Sequence, residues 1–243
     1  MDNVNILVLI PCFNEEKNIE NVIHNVCKYS LSNDHPKYNF NYLIINDCSK
    51  DQTLNILKNN KFSYLNLSVN LGIGGCVQTG YKYALEHSYD ITIQHDGDGQ
   101  HDPSYFFDVI DPIITEKADI VIGSRFIDKN GFQSTSMRRL GSKFISLIIR
   151  LCTGVKVTDV TSGYRAVNRK FIEFYAKNYA QDYPEPEAIV DAVKNNAHII
   201  EIPVTMQERQ GGTSSITALK SIYYMIKVSL AILLYNITSR KKI

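Results

Sequence analysis

The chain opens on an unbroken apolar run, Asn5-Ile-Leu-Val-Leu-Ile10, of strand length and closed by Pro11. Without polar alternation, such a run predicts a strand covered on both faces. Asn14-Glu15-Glu16 then reads as a helix start with acids in its first turn, and Ile19, Val22, Ile23 and Val26 recur at helical spacing. The alternation continues with a strand over Tyr42 to Ile45, a helix over Thr53 to Leu57, and a strand over Tyr64 to Val69. A glycine-rich turn, Asn70 to Gly75, leads into a helix through Ala84 and a strand over Asp90 to Gln94. Beyond Pro103 the pattern predicts a helix over Tyr105 to Thr115, a strand over Ile120 to Ile122, a polar stretch from Asp128 to Ser136 and a helix over Arg138 to Cys152. The turn Asp159 to Arg165 precedes further helical segments, and Ile199 to Val204 is the last predicted strand.

Strands alternating with helices predict an α/β fold, a Rossmann-like, mainly parallel sheet with helices on both faces. Ligands of such sheets gather at the strands' carboxyl ends, where the polar turns after Ile10, Ile45, Val69 and Gln94 fall. We expect one domain over 1–210 and a C-terminal tail over 211–243. Ile216 to Ile237 is rich in Ile, Leu, Val, Tyr and Met, but Lys220 and Lys227 interrupt it. The uncharged remainder falls short of the roughly 20 residues a spanning helix needs. Amphipathic helices lying on a membrane surface, with Arg240, Lys241 and Lys242 facing anionic lipid, suit this composition best. A helix packed on the domain or on a partner subunit, or an oligomeric insertion, are the alternatives.

A net charge of +1, from 26 Lys and Arg against 25 Asp and Glu, leaves no electrostatic footprint for nucleic acid. Five scattered cysteines without CxxC spacing indicate neither a disulfide framework nor a zinc site, and a reducing cytosol fits them. Ile6 to Ile10 is too short, and too closely followed by Pro11, for a signal peptide.

The most informative segment is His95-Asp96-Gly97-Asp98-Gly99-Gln100, directly after a predicted strand. It places two carboxylates with little bulk between them at a strand's carboxyl end. Mg²⁺ or Mn²⁺ takes hard oxygen ligands and keeps positions for water and phosphate oxygens, so one or two carboxylates suffice. Taken alone, the same residues also read as an acidic hairpin turn. His95 and His101 flank it; as ligands they would suit zinc or manganese better than magnesium, and we read them as bystanders. Glycines 72, 74 and 75 do not have the spacing of a dinucleotide-binding loop.

Five segments in order, Pro11-Cys-Phe-Asn-Glu-Glu16, Asn46-Asp-Cys-Ser-Lys-Asp51, Asn70-Leu-Gly72, Asp96-Gly-Asp-Gly-Gln100 and Gly123-Ser-Arg125, resemble the motif series of family 2 glycosyltransferases. With Asp159-Val-Thr-Ser-Gly-Tyr-Arg165 following, the series is most similar to the dolichyl- and polyprenyl-phosphate sugar transferases, from Ile6 to about Val204. The resemblance implies a GT-A fold, an inverting transfer, a UDP-sugar donor, Mg²⁺ or Mn²⁺, and a polyprenyl (undecaprenyl) phosphate acceptor at the cytoplasmic face of the membrane. It also implies roles. Pro11, Phe13 and Glu15 would line the nucleoside pocket, Asp47 would meet the uracil edge, and Asn70 and Gly72 would shape the base and ribose pocket. Asp96 would contact nucleoside or metal, Asp98 would be the principal metal ligand, and Gln100 would approach the sugar or diphosphate. Two departures stand out: Asn46-Asp47-Cys48-Ser49 replaces the family's Asp-Asp-Gly-Ser, and the spanning helices that members often carry are absent. A separate membrane subunit could supply that anchor, and a membrane-protein subunit or a second copy of the chain is the expected protein partner.

An acceptor phosphate is already anionic, so it needs cationic positioning more than a general base. Arg125, Arg138, Arg139 and Arg165 are the candidates, and we expect Arg125 and Arg139 to serve. Asp159 reads either as a turn former or as a carboxylate near the donor sugar, and Glu185 and Glu187 as loop charges or as one acid aimed inward. Arg209, beside Gly211 and Gly212, would clamp a phosphate when its loop closes. Two other readings stay open: transfer to a saccharide hydroxyl with Asp159 or Glu187 as base, and a nucleotide-sugar-binding membrane subunit without turnover.

Overall fold

The computed structural model describes residues 3–30, 37–133, 135–182, 184–208, 225 and 227–233. In chain order the elements are β1 (Val4–Cys12), α1 (Ile19–Ser30), β2 (Tyr38–Asn46), α2 (Thr53–Asn59), β3 (Tyr64–Asn66), α3 (Gly72–Glu86) and β4 (Ile91–Gln94). A 3-10 turn (Pro103–Tyr105) leads to α4 (Phe106–Ile114), β5 (Ile120–Ser124), α5 (Ser136–Thr153), β6 (Arg165–Asn168), α6 (Arg169–Lys177), α7 (Pro184–Lys194) and β7 (Ile199–Pro203). The strands form one sheet in the order β3-β2-β1-β4-β6-β5-β7. All neighbours run parallel except at β6, which is antiparallel to both β4 and β5. The chain reverses its direction of growth between β1 and β4, which opens a crevice at their carboxyl ends.

β1 shows why the sheet is covered on both sides. Leu7 and Leu9 enter one hydrophobic cluster with residues of α3, α5, α6 and α7, while Ile6, Val8 and Ile10 enter a second with residues of α1 and α4. Successive side chains point to opposite faces, so a strand buried on both must be apolar throughout.

Strand β2 begins at Tyr38, before the expected Tyr42, β3 ends at Asn66, short of the expected Val69, and the structure departs from the expected elements in four further places. Pro11 lies inside β1, opposite Ile45, and does not end it. Its carbonyl accepts the Gly97 N–H at 3.2 Å, on the side where β4 has already ended at Gln94, so the missing N–H costs no ladder bond. Helix α1 starts at Ile19, because Asn14 takes a left-handed φ of 57° and the Glu15 carbonyl first closes a turn onto Asn18 and Ile19. The glycines at 72, 74 and 75 begin α3; a Cβ at Gly74 would collide with the carbonyl oxygens of Ala180 and Gln181. Finally, β6 occupies a stretch expected to be turn and helix.

Of the tail, Met225 and residues 227–233 are helical, and Val228 and Ile232 are buried in the first cluster. This part of the tail therefore packs on the domain by one face. Arg209, Gly211, Gly212 and the Arg240-Lys241-Lys242 end lie outside the described residues. No helix among the described residues is long and apolar enough to cross a membrane.

Candidate active site

The polar turns at the carboxyl ends of β1, β2 and β4 are tied into one surface by backbone bonds. Asp47 N–H donates to the Cys12 carbonyl at 2.9 Å, and Gly97 N–H to Pro11, so all three turns meet at the crevice. Asn14 and Ser49 bond across the first two turns, as do Glu16 and Asp51.

Asp47 is buried, with Oδ1 accepting the Leu71 N–H at 2.7 Å while Asn70 Nδ2 donates to its carbonyl at 3.0 Å. Burial pushes its carboxyl above the usual range, and the N–H groups of Leu71 and Gly72 pull it part of the way back. Asp47, Asn70 and Gly72 thus form one unit, with Gly72 supplying a positive φ of 72° as the chain enters α3. Glu15 is buried beside it, its Oε2 accepting from Asn18 and its N–H donating to Thr53, while Phe13 is exposed at the lip.

Asn46 and Cys48, the departures from the family pattern, have structural accounts. Asn46 is fully buried, donating to Asn66 Oδ1 at 2.6 Å and accepting from Ser49 Oγ at 2.5 Å. The Asn46 amide donates to one neighbour and accepts from the other, whereas a carboxylate there would need Asn66 turned to present its NH₂. Cys48 has a φ of 58°, the left-handed conformation that glycine adopts without strain.

Past β4, Asp96 and Asp98 are both partly exposed. Asp98 Oδ1 accepts the Gln100 N–H at 3.1 Å, and Asp96 Oδ1 accepts from Gln94 Nε2 at 3.2 Å. Gly163 approaches so closely that a Cβ there would sit 2.8 Å from Asp96 Oδ2. Gln100 is paired by its backbone carbonyl and its side-chain amide with Gln207, which draws the segment after β7 over the turn. Among the described residues no three His, Cys, Asp or Glu side chains converge into a closed metal cage. Two partly exposed carboxylates fit a hard cation that completes its shell with water and phosphate oxygens.

His101 does more than flank the turn. Its Nδ1 accepts the Asp96 N–H at 3.0 Å and its ring stacks on Tyr164 at 4.8 Å, so it holds the backbone from which Asp96 projects. Burial holds His101 at about 4, with the Asp98 charge opposing, and burial followed by the neighbouring His101 holds His95 at about 3. Both rings are neutral near pH 7, so the 3.7 Å approach of His101 Nε2 to Asp96 is no ion pair there.

The turns after β5 and before β6 join two residues that the sequence leaves unconnected. Arg125 donates to Asp159 three times: backbone N to Oδ2 at 3.0 Å, Nε to Oδ2 at 2.7 Å and Nη2 to Oδ1 at 2.7 Å. Burial works against the guanidinium charge, but Asp159 outweighs it and, with Asp96, holds Arg125 above its usual value. Asp159 is wholly buried and is oriented by Glu201, which accepts the N–H groups of Thr158 and Asp159. Asp159, read from the sequence either as a turn former or as a carboxylate near the donor sugar, is bound to Arg125. Arg165 is spent on the backbone carbonyls of Ser162, Val160 and Glu185, which fixes the turn and removes it from the phosphate-binding candidates. Arg139 lies in the first turn of α5, where Nη2 donates to Ser136. Glu185 feels the charges of Arg165, Asp96 and Arg125, whereas Glu187 feels Asp191, Lys227 and Asp182 and belongs to the outer side of α7. Glu201 and Asn66 carried no sequence signal, because their partners are distant in the chain.

A mainly parallel seven-stranded sheet with two acidic residues beside its switch point is an open α/β fold whose ligand site lies at the strands' carboxyl ends. The sequence profile of Glycosyl transferase family 2 matches residues 7–175, and the chain belongs to that family. It is 30% identical to the UDP-N-acetylglucosamine–dolichyl-phosphate N-acetylglucosaminyltransferase of Methanococcus voltae, over 93% of this chain and 96% of that protein. It is 26% identical to the polyprenol monophosphomannose synthase of Mycolicibacterium smegmatis, over 92% and 85%. Glucosyl-3-phosphoglycerate synthase from Mycobacterium tuberculosis, solved with phosphoglyceric acid, has a TM-score of 0.72 at 18% identity, over 96% of this chain and 80% of that one. The same enzyme solved with Mn²⁺, UDP and phosphoglyceric acid has a TM-score of 0.71, at 18% identity over 96% and 78%. The fold is GT-A.

Proposed function

We propose that the protein is an inverting, metal-dependent transferase that moves a hexose or N-acetylhexosamine from a UDP-sugar to a polyprenyl phosphate such as undecaprenyl phosphate. It would work from the cytoplasmic face of the membrane and make a lipid-linked sugar for surface glycans. The observation that carries the reading is that the turn with Asp96 and Asp98 and the turn with Asp47 are both bonded to the end of β1, Gly97 N–H to Pro11 and Asp47 N–H to Cys12. It gains support from relatives whose names specify dolichyl phosphate or polyprenol.

Phe13, Glu15, Asp47, Asn70 and Gly72 bind and orient the nucleoside in this scheme. Asp96 and Asp98 hold a Mg²⁺ or Mn²⁺ ion, which when bound offsets the charge developing on the departing diphosphate. Gln100, pinned to Gln207 beside the acidic turn, would approach the sugar or diphosphate. Arg125 receives the acceptor phosphate: Asp159 takes Nε and Nη2, so the planar head is fixed with Nη1 outside the pair. Arg139 adds a second cation on the acceptor side. No general base is required, because the attacking oxygen is already anionic.

The test is a screen of UDP-sugars with Mn²⁺ or Mg²⁺ and a polyprenyl phosphate, read by released UDP and by the mass of the extracted lipid. A lipid product supports the reading; UDP binding with no turnover on any common donor points to a subunit without catalysis. Products from saccharide acceptors alone would favour transfer to a hydroxyl instead.

A further inference from the structure

Helix α5 contains Arg138, Arg139, Lys143 and Arg150 and no acidic residue. Its inner face is buried through Ile145, Ile148 and Ile149, whereas Leu140, Phe144, Leu147 and Leu151 are 67, 52, 52 and 76% exposed. Their spacing of four, three and four residues makes one continuous apolar stripe along three turns of helix. Arg139, Lys143 and Arg150, four and seven residues apart, run along one flank of it. The described part of the tail extends the surface, since Met225 packs against Gly141 and Leu230 and Leu233 are themselves exposed. A soluble surface seldom carries four large apolar side chains in a row, and cations without acids select an anionic partner.

We propose that this face of α5 lies in the headgroup region of an anionic lipid bilayer, with the apolar stripe inserted and the cationic flank on lipid phosphates. The geometry also places the site at the membrane. Gln133 Nε2 donates to the Arg125 carbonyl at 3.0 Å, so the segment leading into α5 is tied to the residue that would receive the acceptor phosphate. The inference deepens the proposed function and rests on it for the acceptor; attachment to lipid stands on the exposed stripe. It adds α5 to the membrane contact expected of the C-terminal tail.

The test compares the full-length protein with Phe144→Glu/Leu147→Glu and with Lys143→Glu/Arg150→Glu in sedimentation with phosphatidylglycerol-containing vesicles and with pure phosphatidylcholine vesicles. Expected are at least a fivefold loss of binding to the anionic vesicles in both variants and weaker binding of the wild type to phosphatidylcholine. A smaller loss in the Phe144→Glu/Leu147→Glu variant overturns the proposal. So does sedimentation equilibrium showing a wild-type dimer that this variant converts to monomer, because the stripe would then cover a second copy of the chain. UDP release with a short-chain, water-soluble polyprenyl phosphate is measured in parallel and should match wild type in Phe144→Glu/Leu147→Glu. If it is absent from all three proteins, the lipid-phosphate reading fails while the vesicle result stands.

Discussion

Replacing Asp159 by asparagine removes a charge without changing shape. Asp159 is wholly buried, and the Arg125 side chain that it holds is only 15% exposed. The Asn amide must present an NH₂ either to Nη2 or to the Nε and backbone N of Arg125, so at least one donor faces a donor. Removing one partner of a buried pair costs roughly 3–5 kcal/mol. The low end, about 3 kcal/mol, applies here, because Thr161 Oγ1 still accepts from Nη2 at 3.1 Å and asparagine keeps one acceptor. That is a large share of the roughly 5–15 kcal/mol that holds a typical domain folded. Urea unfolding followed by circular dichroism measures it, with the m-value expected to stay constant. Thr161→Ala, which deletes only the peripheral bond, should cost about 1 kcal/mol. In a double-mutant cycle with Arg125→Met the coupling energy should be about 2 kcal/mol, because the second change removes the charge that the first left unpaired. A loss below about 1 kcal/mol for Asp159→Asn, or a coupling near zero, would refute the account of Asp159 as the anchor of Arg125.

Asp51 accepts from the N–H groups of Thr53 and Glu16; burial opposes its charge, but these bonds prevail and hold its pKa below the usual value. A depressed carboxylate stabilises above its unfolded pKa, so Asp51→Ala should cost about 1 kcal/mol at pH 7, and the difference should fade as pH drops through 4 toward the folded value. At Cys48 the left-handed backbone predicts that Cys48→Val lowers stability by about 1–2 kcal/mol in thermal unfolding while Cys48→Gly lowers it by nothing measurable. Gly74→Ala should lose about 2 kcal/mol despite alanine's better helix propensity, since the new Cβ meets backbone carbonyls of the segment after α6. If Asp98 holds the cation, Asp98→Asn should weaken Mn²⁺-dependent UDP binding at least tenfold by calorimetry and leave the melting temperature within a few degrees, an outcome that unaltered binding would overturn.

Hydrophobic periodicity is a local property, so β1, β2, β4, β5, β7 and the helices between them could be read directly along the chain, and with them a mainly parallel sheet. The acidic turn after β4 was equally legible, because strand end, Asp96 and Asp98 are adjacent in sequence. Strand β6 was not: Arg165-Ala-Val-Asn168 has only two apolar residues, and it becomes a strand by filling the gap between β4 and β5. Its antiparallel course brings the preceding turn, with Asp159 and Gly163, back to the carboxyl ends where Arg125 and Asp96 wait. Asn46 with Asn66, His101 with the Asp96 backbone, and Glu201 with Asp159 likewise depend on long-range or folded-turn geometry. The sequence by itself therefore determined which chemical groups stand at the ends of the strands. The order and direction of the strands decided which of those groups pair with each other, and so which are left to meet a substrate, because a hydrogen bond forms between neighbours in space whatever their separation along the chain.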